Sequence, residues 1–322
     1  MLATIASITQ MAGFRRTVKG NQDLIQRILD DLFLKHPQVD LVCLPEAFAV
    51  KGVSAADVAE IAESLSGPTI EGLARQARQH HCHMVVPLYL QRDSGIFNSA
   101  VILGRNGSVI AVYDKLHPCA SLPDYTVLEN GIIPGKCLER IDLDIGPVGI
   151  QICMDMNFPE SWRDLAELGC KMILWPGAVP GGYLLNALAR LHQCFIVAAV
   201  RSGSARIIGP CGRTISQSSD DRPFAIAKIS LDFLMVSYEF NAGVPAAIEQ
   251  KYGSQVRLTH FPDEGVFLLE STNDGLRLAQ VQAEVGFETL PEHLNRLRNA
   301  YGCHRSGINP NPQPARHGNR SQ

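Results

Sequence analysis

No run of about 18 apolar residues occurs anywhere in this 322-residue chain, so no membrane-spanning helix is expected. No basic residues precede the apolar opening "MLATIASITQM", because Arg15 and Arg16 come after it. The segment therefore reads as a first strand and not as a signal peptide. No C-x-x-C pair is present, and the cysteines number an odd 9, which argues against a disulfide framework and against a zinc ribbon. Most of these cysteines stand in apolar strands, where a reduced thiol packs as a small hydrophobe, so a cytoplasmic protein is expected. A basic stripe is missing too. The 29 Lys and Arg against 32 Asp and Glu leave a net charge of −3, which makes nucleic acid a poor partner.

What is present is the composition of a soluble globular protein, 46% hydrophobic and 19% charged. A chain of this length can bury a sizeable core without metal or disulfides. Strand-like runs recur with helical stretches between them. "ATIASI" opens the series. Leu24, Ile25, Ile28, Leu29, Leu32 and Phe33 then make one face of a helix. "VDLVCLPE" and "HMVVPLYL" are strands on either side of the helical "IEGLARQARQH". "FNSAVIL" and "VIAVYDK" form a hairpin around Asn106-Gly107. "VGIQIC" leads into the helix "PESWRDLAELG", with Pro159 near its start and Gly169 just past its end. "KMILWP", "YLLNALARLHQ", "CFIVAAV", the hairpin "ARIIGPCGRTIS" and "PFAIAKISLD" complete the series. Single helices between strands, mixed with hairpins, imply an α/β fold with a mixed sheet or two sheets. After about residue 236 the pattern loosens, leaving one strand in "GVFLLES" and one helix in "ETLPEHLNRLRNAYG".

Three strand candidates end in reactive side chains: Glu46, Lys115 and Cys153. Strand ends in α/β folds are where sites are built. A carboxylate, an ammonium and a thiol together suit covalent acyl transfer, with a base, a cation for the developing negative charge, and a nucleophile. Cys153 also closely precedes a helix, whose positive end favours a thiolate. Each residue alone also fits a plain structural role, since buried cysteines and solvated Glu and Lys are common.

The order and local contexts of these residues resemble the nitrilase superfamily of carbon–nitrogen hydrolases. "LVCLPEAF" is similar to its first motif, "VYDKLHP" to its lysine motif, and "GIQICMDMNFPESWRDLAELGCKMILWPGAV" to its nucleophile motif. "ALARLHQCFIVAAV" and "SARIIGPCGRTIS" resemble the segments that follow. The resemblance covers roughly residues 2–235. It implies a four-layer α-β-β-α sandwich, a homodimer or larger homo-oligomer, and a reaction that needs no metal or organic cofactor. Glu46 would be the general base, Lys115 the oxyanion-side cation, Cys153 the nucleophile and Glu129, in "LENGIIPGK", a positioning carboxylate. The implied reaction is hydrolysis of a carboxamide or N-carbamoyl compound through a cysteine thioester. Nitrile hydrolysis, transfer to another acceptor and a non-catalytic binding role are the alternatives.

The substrate is less well specified. Members that bind substrate carboxylates often carry an arginine where Met156 and Asn157 stand here, so Arg201 is the remaining anchor candidate. Met154 would supply a backbone N–H to the oxyanion, and Trp175 would either line the pocket or pack in the core. Met154-Asp155 is unlike the Trp-Glu pair of nitrile-specific members. The cluster His80 to His83 lacks the spacing of a metal site. His117 fits a loop or supporting role better than that of a base. "GRNGS" is a turn and not a phosphate loop. The expected organisation is a hydrolase domain over 1–235, an extension over 236–303 that packs on or caps the core, and a disordered tail over 304–322.

Overall fold

Both alternating sets of side chains along the central strands are apolar, so each strand has to be covered on both faces. The structure, a computed structural model, describes residues 2–11, 13–55 and 57–310. Its first sheet takes β1 (Leu2–Ile8), β2 (Leu41–Cys43), β3 (His83–Arg92), β4 (Gly95–Leu103) and β5 (Val109–Asp114). Between these strands run the helices α1 (Val18–Lys35) and α2 (Pro68–His80). The second sheet takes β6 (Ile141–Leu143), β7 (Gly146–Ile150), β8 (Met172–Gly177), β9 (Phe195–Val200), β10 (Arg206–Ile208) and β11 (Thr214–Gln217). With it go α3 (Pro159–Glu167) and α4 (Gly182–His192), and β12 (Phe224–Ser230) returns to the first sheet. The orders are β12-β1-β2-β3-β4-β5 and β11-β10-β9-β8-β7-β6. Each sheet has parallel strands at its centre, β1-β2-β3 in one and β7-β8-β9 in the other, with antiparallel arms.

The period of two sorts the core. Ala6, Ile8, Val42, Met84, Val86, Val101 and Leu103 face α1 and α2, where Leu24, Ile28, Leu32, Ile70, Leu73 and Ala77 meet them. Ile173, Trp175, Ile196 and Ala198 face α3 and α4 through Trp162, Leu165, Leu185 and Leu188. The opposite sets, Ile5, Leu41, Cys43 and Val85 on one sheet and Leu174, Phe195 and Val197 on the other, are fully buried as well. Two sheets back to back with helices outside are the four-layer α-β-β-α sandwich. Local signals set the helix ends: Thr17 caps α1 by accepting from the Gly20 N–H at 3.1 Å, and Pro159 starts α3. The Asn106-Gly107 turn joins β4 to β5, with Gly107 at φ 75°.

Residues 3–229 form one compact unit, and a second begins at Ser230. The second unit holds β13 (Phe233–Ser237), α5 (Val244–Tyr252), β14 (Val256–Phe261), β15 (Val266–Ser271), α6 (Leu278–Val285) and α7 (Leu290–Arg305). Its strands form an antiparallel sheet of order β13-β15-β14. Val236, Ile248, Phe267, Leu269, Val281 and Phe287 make a core of its own. A capping box of Thr289 and Glu292 opens α7. The strand in "GVFLLES" and the helix in "ETLPEHLNRLRNAYG" are β15 and α7. The two other strands and two other helices were not visible in the sequence. β14, "VRLTHF", is mostly half-exposed and carries no clean alternation. The expected tail starts inside α7, and its residues 311–322 lie outside the described residues. No helix among the described residues is long and apolar enough to cross a membrane.

Candidate active site

The three ladders stop short of the reactive residues, so each side chain is carried on a turn just beyond a strand. β2 ends at Cys43, β5 at Asp114 and β7 at Ile150. Beyond β2, Ala47 takes a left-handed φ of 41°, which turns the chain sharply at Glu46. Lys115 stays tethered to the sheet, because its N–H donates to the Asn98 carbonyl and its carbonyl accepts from Gly135 N–H, both at 2.8 Å. A Cβ on Gly135 would stand 2.2 Å from the Asp114 carbonyl oxygen, so only glycine allows that approach. Cys153 itself has φ 46° and opens a five-residue 3₁₀ turn over Cys153–Asn157. Such a backbone costs of order 1–3 kcal/mol in a non-glycine residue and persists only where its surroundings hold it.

These turns bring the residues together in a buried cluster. Lys115, 1% exposed, donates from Nζ to Glu46 Oε1 at 2.9 Å and to Glu129 Oε1. Asn98 Nδ2 bridges the same two carboxylates, donating at 2.9 Å to Glu46 Oε1 and at 2.9 Å to Glu129 Oε2. Glu129 also accepts from the Cys119 N–H at 3.1 Å. Glu46 Oε2 is buried and accepts no hydrogen bond among the described residues, and Arg201 Nη2 stands 3.8 Å from it.

Burial alone would raise the Glu46 carboxyl. The charges of Lys115 and Arg201, with hydrogen bonds from Lys115 and Asn98, outweigh it and hold the group below the ordinary carboxylate value. Burial works against the Lys115 ammonium, but the charges of Glu46 and Glu129 outweigh it and keep the lysine protonated well above its ordinary value. The Cys153 thiol goes the other way. Burial first, and the Glu46 charge second, push it up to about 12, although Lys115 pulls it down. The resting group is therefore a thiol. The expected help from a helix terminus is outweighed, since Cys153 opens a short 3₁₀ turn and α3 starts only at Pro159.

Asp155, fully buried, holds the nucleophile turn. Its Oδ2 accepts from the Tyr113 hydroxyl and the Ile152 N–H, each at 2.8 Å. Its Oδ1 accepts from the His117 N–H at 2.9 Å and lies 2.8 Å from His117 Nδ1. The turn before Cys153 is thus tied to residues on both sides of Lys115. His117 serves this tie and stacks on Phe158 at 3.6 Å. Asp155 and Asn98 carried no signal in the sequence, where an Asx beside a strand end reads as turn chemistry.

The remaining site candidates fall in different places. Trp175 is fully buried against α3 and α4 and meets the site from below, its Nε1–H donating to the Cys153 carbonyl at 3.2 Å. Met154 is half-buried, and its carbonyl accepts from Asn157 Nδ2 at 3.3 Å. Arg201 belongs to the cluster through Glu46 and is not a remote surface arginine. In the histidine run, His81 is exposed, Cys82 is buried, and His83 pairs with Asp144 at 2.8 Å. Among the described residues, no three His, Cys, Asp or Glu side chains gather as metal ligands would.

Residues 5–235 match the carbon–nitrogen hydrolase family. The deaminated glutathione amidase of Bos taurus is 30% identical over 60% of this chain and 67% of its own length. The omega-amidase NIT2 of Homo sapiens is 24% identical over 59% of this chain and 76% of its own length. A carbon–nitrogen hydrolase structure from Helicobacter pylori superposes with a TM-score of 0.64 at 19% identity, covering 72% of this chain and 90% of that one. Nit3 of Saccharomyces cerevisiae, described as a member of the nitrilase superfamily, superposes with a TM-score of 0.61 at 18% identity, covering 78% and 97%. Both structural likenesses bear on the fold.

Proposed function

The chain belongs to the carbon–nitrogen hydrolase family and is a hydrolase of carbon–nitrogen bonds other than peptide bonds; we propose that it cleaves a carboxamide or N-carbamoyl substrate through a thioester on Cys153. The observation that carries this reading is the buried Lys115 ammonium clamped between Glu46 and Glu129, with the Cys153 thiol pressed on by the same Glu46 charge. Relatives named as amidases support an amide bond as the target.

A thiol raised to about 12 beside a depressed carboxyl does not ionise in advance. The proton passes to the open Glu46 Oε2 as sulfur attacks the carbonyl carbon. Lys115 and the Met154 N–H stabilise the oxyanion, a contribution typically worth about 10² to 10³ in rate per donor. Glu46 then returns the proton to the departing nitrogen, and ammonia or an amine leaves. In the second half Glu46 takes a proton from water as its oxygen adds to the thioester carbon, and then returns that proton to the departing sulfur, which releases the acid and restores the thiol. Lys115 keeps its charge throughout, held by Glu129, and Asn98 fixes the spacing of the two carboxylates. This reading needs no metal or organic cofactor.

Cys153→Ala is expected to abolish ammonia release from primary amides while leaving the circular dichroism spectrum unchanged. Glu46→Gln is expected to lose at least about 10³-fold in kcat, because members of a catalytic unit fail together. Intact-mass spectrometry of the unmodified protein during turnover should find an acyl adduct confined to the peptide of Cys153. Wild-type ammonia release by Cys153→Ala would overturn the reading. The protein is further proposed to act as a homodimer or larger homo-oligomer. Helix α4 leaves Tyr183, Leu184 and Leu191 exposed, side chains that a second copy would cover.

A further inference from the structure

Glu46 lies past the end of β2, so its own ladder does not hold it, and the left-handed Ala47 makes a turn that persists only with outside support. The turn runs on as a 3₁₀ segment over Phe48–Val50, too short to stand by itself. Two amide side chains from distant parts of the chain hold it. Gln10, just beyond β1, donates from Nε2 to the Phe48 carbonyl at 3.2 Å. Asn21, in the first turn of α1, donates from Nδ2 to the Ala49 carbonyl and to the Lys51 carbonyl, both at 2.9 Å. Both side chains are fully buried. Asn21 Oδ1 accepts from the Arg15 N–H at 2.7 Å and from Gln10 Nε2 at 3.4 Å, so the two amides are joined. Asn21 thus spends both of its amide protons and both acceptor positions of its oxygen.

The core of α1 does not call for this residue. Asn is a weak helix former, and the same face of α1 continues as Leu24, Ile25 and Ile28. An aliphatic side chain at position 21 would suit the helix better and bury more apolar surface. The amide is matched instead to the carbonyls of the turn that carries Glu46. Lys51 ties the end of that turn, its ammonium donating to the Gln10 carbonyl at 3.2 Å and to the Arg201 carbonyl. The Gln10 N–H donates to the Val200 carbonyl at 3.0 Å, and Thr9 pairs with Val200 in a parallel bridge, so the two sheets meet here. The turn is therefore fixed to the ends of β1 and β9 and to α1 at once. Among the described residues, neither Asn21 nor Gln10 bonds through its side chain to Glu46, Lys115, Glu129 or Cys153.

We propose that Asn21, with Gln10 beside it, is a positioning residue for the general base: its amide fixes the Ala47–Lys51 turn and so aims the Glu46 carboxylate, with Oε1 on Lys115 and Asn98 and Oε2 left open. The inference rests on the amidase reading for the role of Glu46, and on the bonds of Asn21 for what holds it. A reacting group displaced by about 1 Å can cost about 10² in rate, so this turn has to be held more closely than folding requires. The titratable and charged groups that face Glu46 are Lys115, Arg201, Cys153 and Tyr89, with Glu129 across Asn98. Burial raises the Glu46 carboxyl, and the charges of Lys115 and Arg201 outweigh it. A turn released from Asn21 draws the carboxylate away from these cations while leaving it buried, so its protonation moves to higher pH.

The test has a kinetic arm and a titration arm, both on the full chain. Asn21→Leu keeps the branched shape of the side chain and removes every hydrogen bond it makes. With primary amides, kcat is expected to fall by about 10- to 100-fold with KM little changed, and the acid limb of the kcat/KM profile to move to higher pH. In a Glu46→Asp background the same substitution should cost less than about 3-fold, because a residue that acts through Glu46 is not additive with it. The titration arm needs no turnover. In protein labelled with carbon-13 at the glutamate carboxyls, the Glu46 resonance is identified by its loss in Glu46→Gln, and Asn21→Leu should raise the pH at which it titrates. An unchanged Glu46 titration, or the full loss of kcat repeated in the Glu46→Asp background, would each overturn the proposal and leave Asn21 a structural residue. Failure of the amidase reading is separately visible as ammonia release unaffected by Cys153→Ala, and the titration still decides the role of Asn21. Should Asn21→Leu melt early, Gln10→Met, which removes the donor to the Phe48 carbonyl, carries the same comparison.

Discussion

Cys153 is one of 9 cysteines, and most of the others lie on strands or against helices as small buried hydrophobes. What separates it is a left-handed backbone at φ 46° and a carboxylate and an ammonium that bear on its thiol in opposite directions. Alkylation by iodoacetamide, read by peptide mass spectrometry from about pH 6 to about pH 10, should report this directly. Because burial and Glu46 hold the thiol protonated, its rate is expected to keep rising with pH across that range. A plateau near neutrality would mean a resting thiolate and would overturn the concerted proton transfer to Glu46. Lys115 shows the same logic from the other side. A buried ammonium is tolerable only when paired, and it has two carboxylates in reach. None of this is legible in a sequence, where Glu46, Lys115 and Cys153 each suit an ordinary structural role and only their joint order with matching contexts singles them out.

At the level of elements, the site is a set of turns at strand ends whose mutual position is held by Asp155. Tyr113, His117 and Ile152 all hydrogen-bond to its carboxylate, so the end of β5, the segment after it and the turn beyond β7 are tied to one group. Asp155→Asn puts an N–H among groups that are mostly donors. A misplacement of about 1 Å at a reacting group can cost about 10² in rate, so kcat is expected to fall by roughly that factor with KM little changed and the fold retained. Unchanged kcat in that variant would remove Asp155 from the alignment of the site. The elements themselves were largely readable: the strand runs, the Asn106-Gly107 hairpin and the proline-started helix stand where turn chemistry and periodicity put them. Trp175 was not. Its place after an apolar run suits a pocket wall or the core equally, and the period of two puts its ring on the helix side, where it donates to the Cys153 carbonyl.

For the whole molecule, burial on both faces of each sheet leaves α4 as an outer layer with apolar residues still uncovered. Exposure is 92% at Tyr183 and 71% at Leu191, values a helix reaches only when its outer face is solvent or another copy. Light scattering is expected to return at least twice the chain mass of 35.2 kDa, and Leu191→Glu to return the monomer with the circular dichroism spectrum of the parent. A monomeric mass for the unmodified protein would remove the proposed assembly. The unit that begins at Ser230 has a sheet and core separate from the sandwich. The sequence marked its start only as a loosening of pattern, because β14 is half-exposed and α5 is short, so neither writes a strong period.

The apolar runs of β1, β2, β8 and β9 and the proline start of α3 are properties of neighbouring residues, and so the α/β class, the turn positions and the order of Glu46, Lys115 and Cys153 could be derived from the chain alone. That Lys115 is shared by Glu46 and Glu129, that Asn98 and Asp155 take part, and that Arg201 stands beside Glu46 depends on contacts between residues from 14 to about 150 positions apart. Such contacts are set by strand register and sheet stacking, which bring distant turns to one place. Local periodicity cannot choose among the partners that a register brings within reach.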